Sequence, residues 1–231
     1  MTVIAIDGPA GSGKSTLARL LAERLGYAYL DTGAMYRAIA YLALRDGVAT
    51  DDGASLAAVA REAHIAFRPD GRILAAEHDV SEEIRRPAVS AAVSEVSAHA
   101  EVRAVLLEEQ RRIGAVQDIV IEGRDIGTVV FPDAPVKLFL TATAEIRAER
   151  RRRELIAGGE HVGADETLRA IVARDAYDSQ RPVAPLRRAA DAIELDTSAL
   201  DVAQVVERAR EVVLERLGAP GSHDGSGGCD R

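Results

Sequence analysis

The chain contains no asparagine, so the N-K-x-D motif that reads guanine in regulatory GTPases cannot be present. Cysteine is nearly absent. The single Cys229 sits in a Gly/Ser-rich stretch, which excludes a disulfide framework and a CxxC redox pair. Only two of the 29 basic residues are lysines, Lys14 and Lys137. A coding bias towards arginine accounts for this, and the high alanine content agrees with it. The five histidines are scattered and pair at no metal-ligand spacing. No apolar run approaches the roughly 18 residues of a membrane span, and no basic segment precedes the first apolar run. The expectation is a cytoplasmic protein with no membrane partner. A net charge of −8 and a pI of about 5.2 argue against general nucleic-acid binding. A monomer is expected.

What is present is a soluble, globular composition, with 47% apolar and 29% charged residues in 231. That length suits one α/β domain with an insertion better than two full domains. Val3 to Ile6 reads as a buried strand. Gly8-Pro9-Ala10-Gly11-Ser12-Gly13-Lys14-Ser15 fits G-x-x-x-x-G-K-[ST], the phosphate loop of ATP- and GTP-using proteins. Thr16 to Leu25 follows with leucines at helical spacing, and Gly26 can cap it. Strand, loop and helix together are the context the motif requires. The glycines let backbone N–H groups turn inward on phosphate oxygens, and the helix N-terminus adds partial positive charge. Lys14 brings a mobile charge to the β- and γ-phosphates. The Ser15 hydroxyl can ligate a Mg²⁺ that travels with the nucleotide.

Further along, Tyr27 to Leu30 reads as a strand and Ala34 to Arg45 as a helix, with a capping turn at 31–33. Asp51 or Asp52 opens another helix. His64 to Arg68 and Arg72 to Glu77 flank Pro69-Asp70-Gly71 and predict a hairpin. A hairpin inside a strand–helix alternation suggests an insertion over about 54–87, with the core formed by 1–53 and 88–217. Two helices are expected over about 88–98 and 101–112. Strands follow at 119–121, 136–140 and 192–195. A basic helix begins at the Thr143 cap, a polar loop at Gly158, and a helix capped by Asp165 runs to about Ser179. The last helix spans 201–217, and the Gly/Ser-rich tail 218–231 is expected to be disordered. The alternation implies a mostly parallel sheet flanked by helices, with ligands at the carboxyl ends of its strands.

Three other clusters carry chemistry. In Asp31 to Arg37, Thr32 and Arg37 suit a second phosphate, and Tyr36 offers a flat ring to a base. In Glu122 to Gly127, Glu122 is a candidate for holding Mg²⁺ through water, Arg124 for bidentate phosphate contact, and Asp125 for accepting an exocyclic amine. Arg147, Arg150, Arg151, Arg152 and Arg153 share one helix with Glu145, Glu149 and Glu154. Such a run is a solvated face, or a set of arginines that closes over phosphate like a lid around 151–165. Arg174, Asp178 and Arg181 lie on one helical face.

Taken together, IDGPAGSGKST, DTGAMYR, DVSEEIR, EGRDIGTVVFPDAPVK and RPVAPL resemble the bacterial cytidylate kinase family over about 3–217. The resemblance implies a nucleoside monophosphate kinase fold and transfer of the γ-phosphoryl of ATP to CMP or dCMP with Mg²⁺. It implies that Thr32, Arg37, Arg124 and Arg181 hold the acceptor phosphate and that Tyr36 packs near the base. Ser94, Arg103 and Asp125 would read cytosine, Arg174 and Asp178 would reach the ribose, and Arg150 would lie near the ATP base. Lys14, Arg124, Arg174 and Arg181 would be the catalytic set. Thr32 and Glu122 stand where many members carry Ser and Asp. A kinase for another small acceptor, such as shikimate, would not need the 31–37, 94–103 and 122–125 groups together.

Overall fold

The computed structural model describes residues 1–68 and 71–218. The predicted turn residues Pro69 and Asp70, and the tail from 219 onward with Cys229, lie outside the described residues.

Strand β1 (Val3–Asp7) is buried along its whole length, as branched apolar residues require at the centre of a parallel sheet. Helix α1 (Lys14–Leu25) follows, then β2 (Ala28–Asp31) and α2 (Thr32–Asp46). Next come α3 (Gly53–Glu62), the short strands β3 (Ala66–Phe67), β4 (Ile73–Ala75) and β5 (His78–Asp79), a 3₁₀ turn at Glu83–Arg85, and helices α4 (Pro87–Val96) and α5 (Ala100–Gly114). The chain continues through β6 (Ile119–Gly123), a π-helical turn at Ile126–Val130, β7 (Val136–Thr141), α6 (Ala144–Ala157), α7 (Ala164–Gln180), β8 (Ile193–Asp196) and α8 (Val202–Leu217).

Five strands form a sheet in the order β2-β6-β1-β7-β8, with every pairing parallel. Successive side chains on a strand point to opposite faces, and the two faces build separate cores. Val3 and Ala5 of β1, with Ile119 and Ile121 of β6, pack on the side of α2, α4 and α5. Ile4, Ile6 and Val120 pack with Leu138 on the side of α1 and α8. Register brings the carboxyl ends level: Asp7 lies opposite Gly123, and Asp31 opposite Glu122. Every polar group at those ends therefore faces one edge.

Four local features differ from the sequence expectation. Helix α2 begins at Thr32, with the Asp31 carboxylate accepting from the Ala34 N–H as the cap. Helix α7 begins after Gly163, so Asp165 sits in the first turn and not at the cap; negative charge is favourable there too. Strand β5 adds a third, antiparallel member to β3 and β4. Its two residues are polar and exposed, and the turn before it puts Ala76 and Glu77 at positive φ without the Asn or Gly that advertises such a turn. The π-helical turn has no recognisable pattern. It is pinned from outside, because the buried Asp7 carboxylate accepts the N–H groups of Ile126 and Gly127, each at 2.8 Å. Burial pushes that carboxyl up to about 6.

Gly8 connects this sheet to the phosphate loop. Its φ is +151°, and a Cβ there would stand 2.2 Å from the Leu140 carbonyl oxygen on the neighbouring strand end. Gly8→Ala is expected to cost about 2–3 kcal/mol and lower Tm by roughly 5–10 °C in a thermal melt. An unchanged Tm would show that the loop can move away from β7 at no cost.

Candidate active site

The phosphate loop turns between β1 and α1 through left-handed glycines, with φ of +73° at Gly11 and +95° at Gly13. Gly13 is the N-cap of α1 and no side chain blocks the first turn. The free N–H groups of that turn and the helix dipole therefore face the loop's concavity. Gly11 also packs directly on α6: a Cβ there would lie 2.7 Å from the Arg147 carbonyl oxygen. The buried Lys14 folds back over the loop and donates from Nζ to the Pro9 carbonyl at 2.7 Å. Burial, reinforced by the charge of Arg124, lowers its ammonium to about 7.

Two cavities meet at this loop. One, of about 720 Å³, is lined by Gly11, Ser12, Gly13 and Thr16, by Glu145, Glu149 and Arg150 of α6, and by an apolar wall of Leu200, Val202, Val205 and Val206. The other, of about 190 Å³, is shared between the loop and the sheet edge, with Lys14, Ser15, Thr32, Tyr36, Arg37, Arg103, Glu122, Arg124, Asp125, Arg174, Asp178 and Arg181 in its wall. Gly11, Gly13, Thr16 and Glu154 border both. Arg151 also faces the second cavity, so six arginines and Lys14 stand against five carboxylates there: Asp31, Glu122, Asp125, Glu154 and Asp178. That is a formal surplus of two positive charges in a chain whose net charge is −8.

The carboxylates order the arginines. Arg103 donates to Asp125 at 2.5 Å, and Arg181 lies 3.6 Å from the other oxygen of the same carboxylate. Arg124 donates to Asp178 at 3.0 Å, with Arg174 3.9 Å from the same oxygen. Burial and the neighbouring Arg124 depress the Arg174 guanidinium to about 10. The Arg103 guanidinium also stands 5.3 Å from the centre of the Tyr36 ring, a cation–π contact. Burial pushes the Tyr36 hydroxyl up to about 12. Thr32 donates to the Glu122 carbonyl at 2.7 Å, and Arg37 sits 4.0 Å from Asp31.

Most of the residues singled out in the sequence thus converge. Gly8 and Pro9 shape the loop from behind the cavity walls. Ser94 does not line either cavity; it is half-buried on α4, and its neighbours Val93 and Ser97 form that part of the wall. The arginine run divides. Arg150 donates to the Thr197 hydroxyl and carbonyl at 2.9 and 2.7 Å beside the larger cavity. Arg151 faces the smaller one, and Arg152 and Arg153 pair with Glu149. Arg147 is buried against the loop itself.

Three participants were not singled out in the sequence. Asp7 pins the turn that follows Asp125. Thr197, just after β8, accepts from Arg150 and donates to the Ser12 carbonyl within 3.2 Å, tying the loop to the far sheet edge. Tyr29 donates to Glu122 at 2.7 Å. Only Tyr29 could have been anticipated, by asking which residues of β2 lie beside the end of β6.

A Mg²⁺ ion fits the donor set. The Ser15 hydroxyl and the buried Glu122 carboxylate are hard oxygen donors, and Tyr29 occupies one oxygen of Glu122. Burial first, and then the charge of Asp31, raise the Glu122 carboxyl. A divalent cation would reverse that second effect. Among the described residues no group of three or more His, Cys, Asp or Glu side chains forms a metal site by itself, so nucleotide phosphates would supply the remaining ligands.

A parallel sheet, a glycine-rich phosphate loop and a basic second cavity at its edge define a phosphate-loop kinase. Comparison narrows the class. The family model for cytidylate kinase matches residues 4–215, and the chain belongs to that family. A cytidylate kinase of Geobacter sulfurreducens is 50% identical over 217 residues, covering 93% of each chain. That of Syntrophotalea carbinolica is 52% identical, over 93% of this chain and 92% of its own. The shikimate kinase of Bacteroides thetaiotaomicron superposes with a TM-score of 0.50 at 14% identity, covering 94% of this chain and 98% of the other, which shows the shared fold alone. Among the described residues no helix is long and apolar enough to cross a membrane.

The lowered Lys14 ammonium has a measurable consequence. An unfolded lysine titrates near 10.5, so between about pH 7 and 10.5 the unfolded chain holds a proton that folded Lys14 has released. This group's contribution to stability therefore rises with pH across that window. A triphosphate reverses the preference by favouring the charged form. Nucleotide binding at pH 8 is expected to take up a proton, and at pH 6 to take up little. Calorimetry in buffers of different ionisation enthalpy reads this directly; identical heats at pH 8 would contradict it.

Proposed function

We propose that this chain transfers the γ-phosphoryl group of ATP to CMP or dCMP, giving ADP and CDP or dCDP. The observation that carries the reading is the joining of two cavities at one phosphate loop, the smaller lined by arginines held on Asp125 and Asp178. In this reading the larger cavity takes the ATP nucleoside, with Arg150 beside its base, and the loop from Gly8 to Thr16 takes its phosphates. The smaller cavity takes the acceptor, with Thr32, Arg37, Arg124 and Arg181 on its phosphate and Arg174 and Asp178 towards its ribose.

The acceptor phosphate has a second pKa near 6 and is largely dianionic at pH 7. It needs no general base. The chain's task is to bring two polyanions together and to stabilise charge in an in-line transfer. Each close pair of like charges costs about 4 kcal/mol at 4 Å for an effective dielectric near 20. Lys14 and the arginines offset that repulsion. Ser15, and Glu122 through water, would hold a Mg²⁺ ion, whose charge would offset that of the nucleotide phosphates. Closure of the segment around 151–165 would exclude water that otherwise hydrolyses ATP. Ser94, next to the wall residue Val93 on α4, would read the base together with Arg103 and Asp125.

Cytosine offers an amine at N4 and acceptors at N3 and O2. Asp125 beside the amine and Arg103 beside the acceptors match that pattern, and uracil would set its O4 against the carboxylate. A coupled ADP-release assay with Mg·ATP and CMP, dCMP, UMP, AMP, GMP or shikimate tests the reading. Turnover is expected with CMP and dCMP and should be poor with UMP; turnover of another acceptor with both cytidylates untouched would overturn it.

Asp125→Asn is a sharper test. It is expected to damage use of CMP more than binding of ATP, because Asp125 lines the smaller cavity and not the larger one. It should also destabilise the free protein by about 3–5 kcal/mol, since two buried guanidinium groups lose their counter-charge. Equal losses of CMP and ATP affinity would contradict the assignment.

A further inference from the structure

Arg147 is the arginine of its run that is buried, and it lines neither cavity. It lies on the first turn of α6 and is bonded on three sides. Nε donates to the Ala142 carbonyl at 2.8 Å, and Nη1 donates to the Ala10 carbonyl of the phosphate loop at 3.1 Å. Nη1 also lies 2.6 Å from Oδ2 of Asp175 on α7. The other oxygen of Asp175 is buried without a hydrogen-bond partner. That carboxylate therefore depends on Arg147. The backbone of Arg147 also crowds Gly11, where a Cβ would lie 2.7 Å from the Arg147 carbonyl oxygen.

Asp175 follows Arg174 in sequence and precedes Asp178 by less than one turn. Helix α7 and its end supply Arg174, Asp178 and Arg181 to the acceptor cavity, whereas the loop supplies the donor cavity. In-line transfer needs those two sets in fixed register, since a misplacement of about 1 Å can cost a hundredfold in rate. We propose that Arg147 and Asp175 are positioning residues: their ion pair sets α7, and with it Arg174 and Asp178, against the phosphate loop. A guanidinium is needed because its planar fork serves two carbonyls and a carboxylate at once, which an ammonium on a flexible stem does not hold in one geometry.

The inference rests on the phosphoryl-transfer reading of the site. If the wild-type chain leaves CMP and dCMP untouched, that reading fails; if the wild type turns them over, the variants decide the inference alone. In the full chain, Asp175→Asn is expected to lower kcat about tenfold or more while Kd for ATP changes less than about twofold, because the bond from Arg147 to Ala10 survives. Arg147→Lys should also lower kcat. The double variant should be no worse than the poorer single, as expected of two groups acting as one unit. Asp175→Glu keeps the charge and should recover part of the rate; together with Arg147→Lys it carries the test if Asp175→Asn does not fold. Wild-type kcat in these variants, a rise in KM for ATP at unchanged kcat, or losses that multiply in the double variant would each overturn the proposal.

Discussion

Six guanidinium groups and one ammonium line a single small cavity, and the rest of the site answers to their mutual repulsion. At a spacing of about 4 Å each unit pair of like charges costs several kcal/mol in a partly desolvated setting. The protein meets that cost with buried carboxylates placed between arginines. Asp125 separates Arg103 from Arg181, and Asp178 separates Arg124 from Arg174. Each holds its arginines where a phosphate or a base would next be met, so the free site is pre-ordered and not a set of flexible cations.

This arrangement demands a rigid frame, and the sheet provides it. Parallel register brings Asp7, Asp31, Glu122 and Gly123 to one edge. Asp7 then fixes the turn after Asp125 through two backbone N–H groups. The phosphate loop is held from three directions: Gly8 against the end of β7, Gly11 against α6, and the Ser12 carbonyl against Thr197. The loop is thus fixed before any phosphate arrives, and less of the binding free energy goes into ordering it.

Helix α7 stands apart from that frame. It lies beyond the sheet and packs chiefly on α6, yet with its C-cap it supplies Arg174, Asp178 and Arg181 to the smaller cavity. Side chains tie it to the loop: Asp175 pairs with Arg147, which also donates to the Ala10 carbonyl.

Much of this was legible in the chain by itself, and for a local reason. The phosphate loop, the Asp31 cap, the β-rich runs and the Glu122–Asp125 segment are contiguous, and each announces itself through glycine placement, capping chemistry or hydrophobic period. Resemblance to a family assembled them into one site, including Arg103 from α5 and Arg174 and Arg181 from α7 and its end. What only the tertiary structure decided is pairing between distant positions. Nothing in the run from Arg147 to Arg153 distinguishes the arginine buried on the phosphate loop from those paired on the surface with Glu149. Nothing around Ser94 shows that its neighbours, and not it, form the cavity wall. Sequence determines which groups are available and on which element each is carried; which carboxylate meets which arginine is settled by sheet register and helix packing, because burial makes those partners obligatory and chain distance says nothing about them.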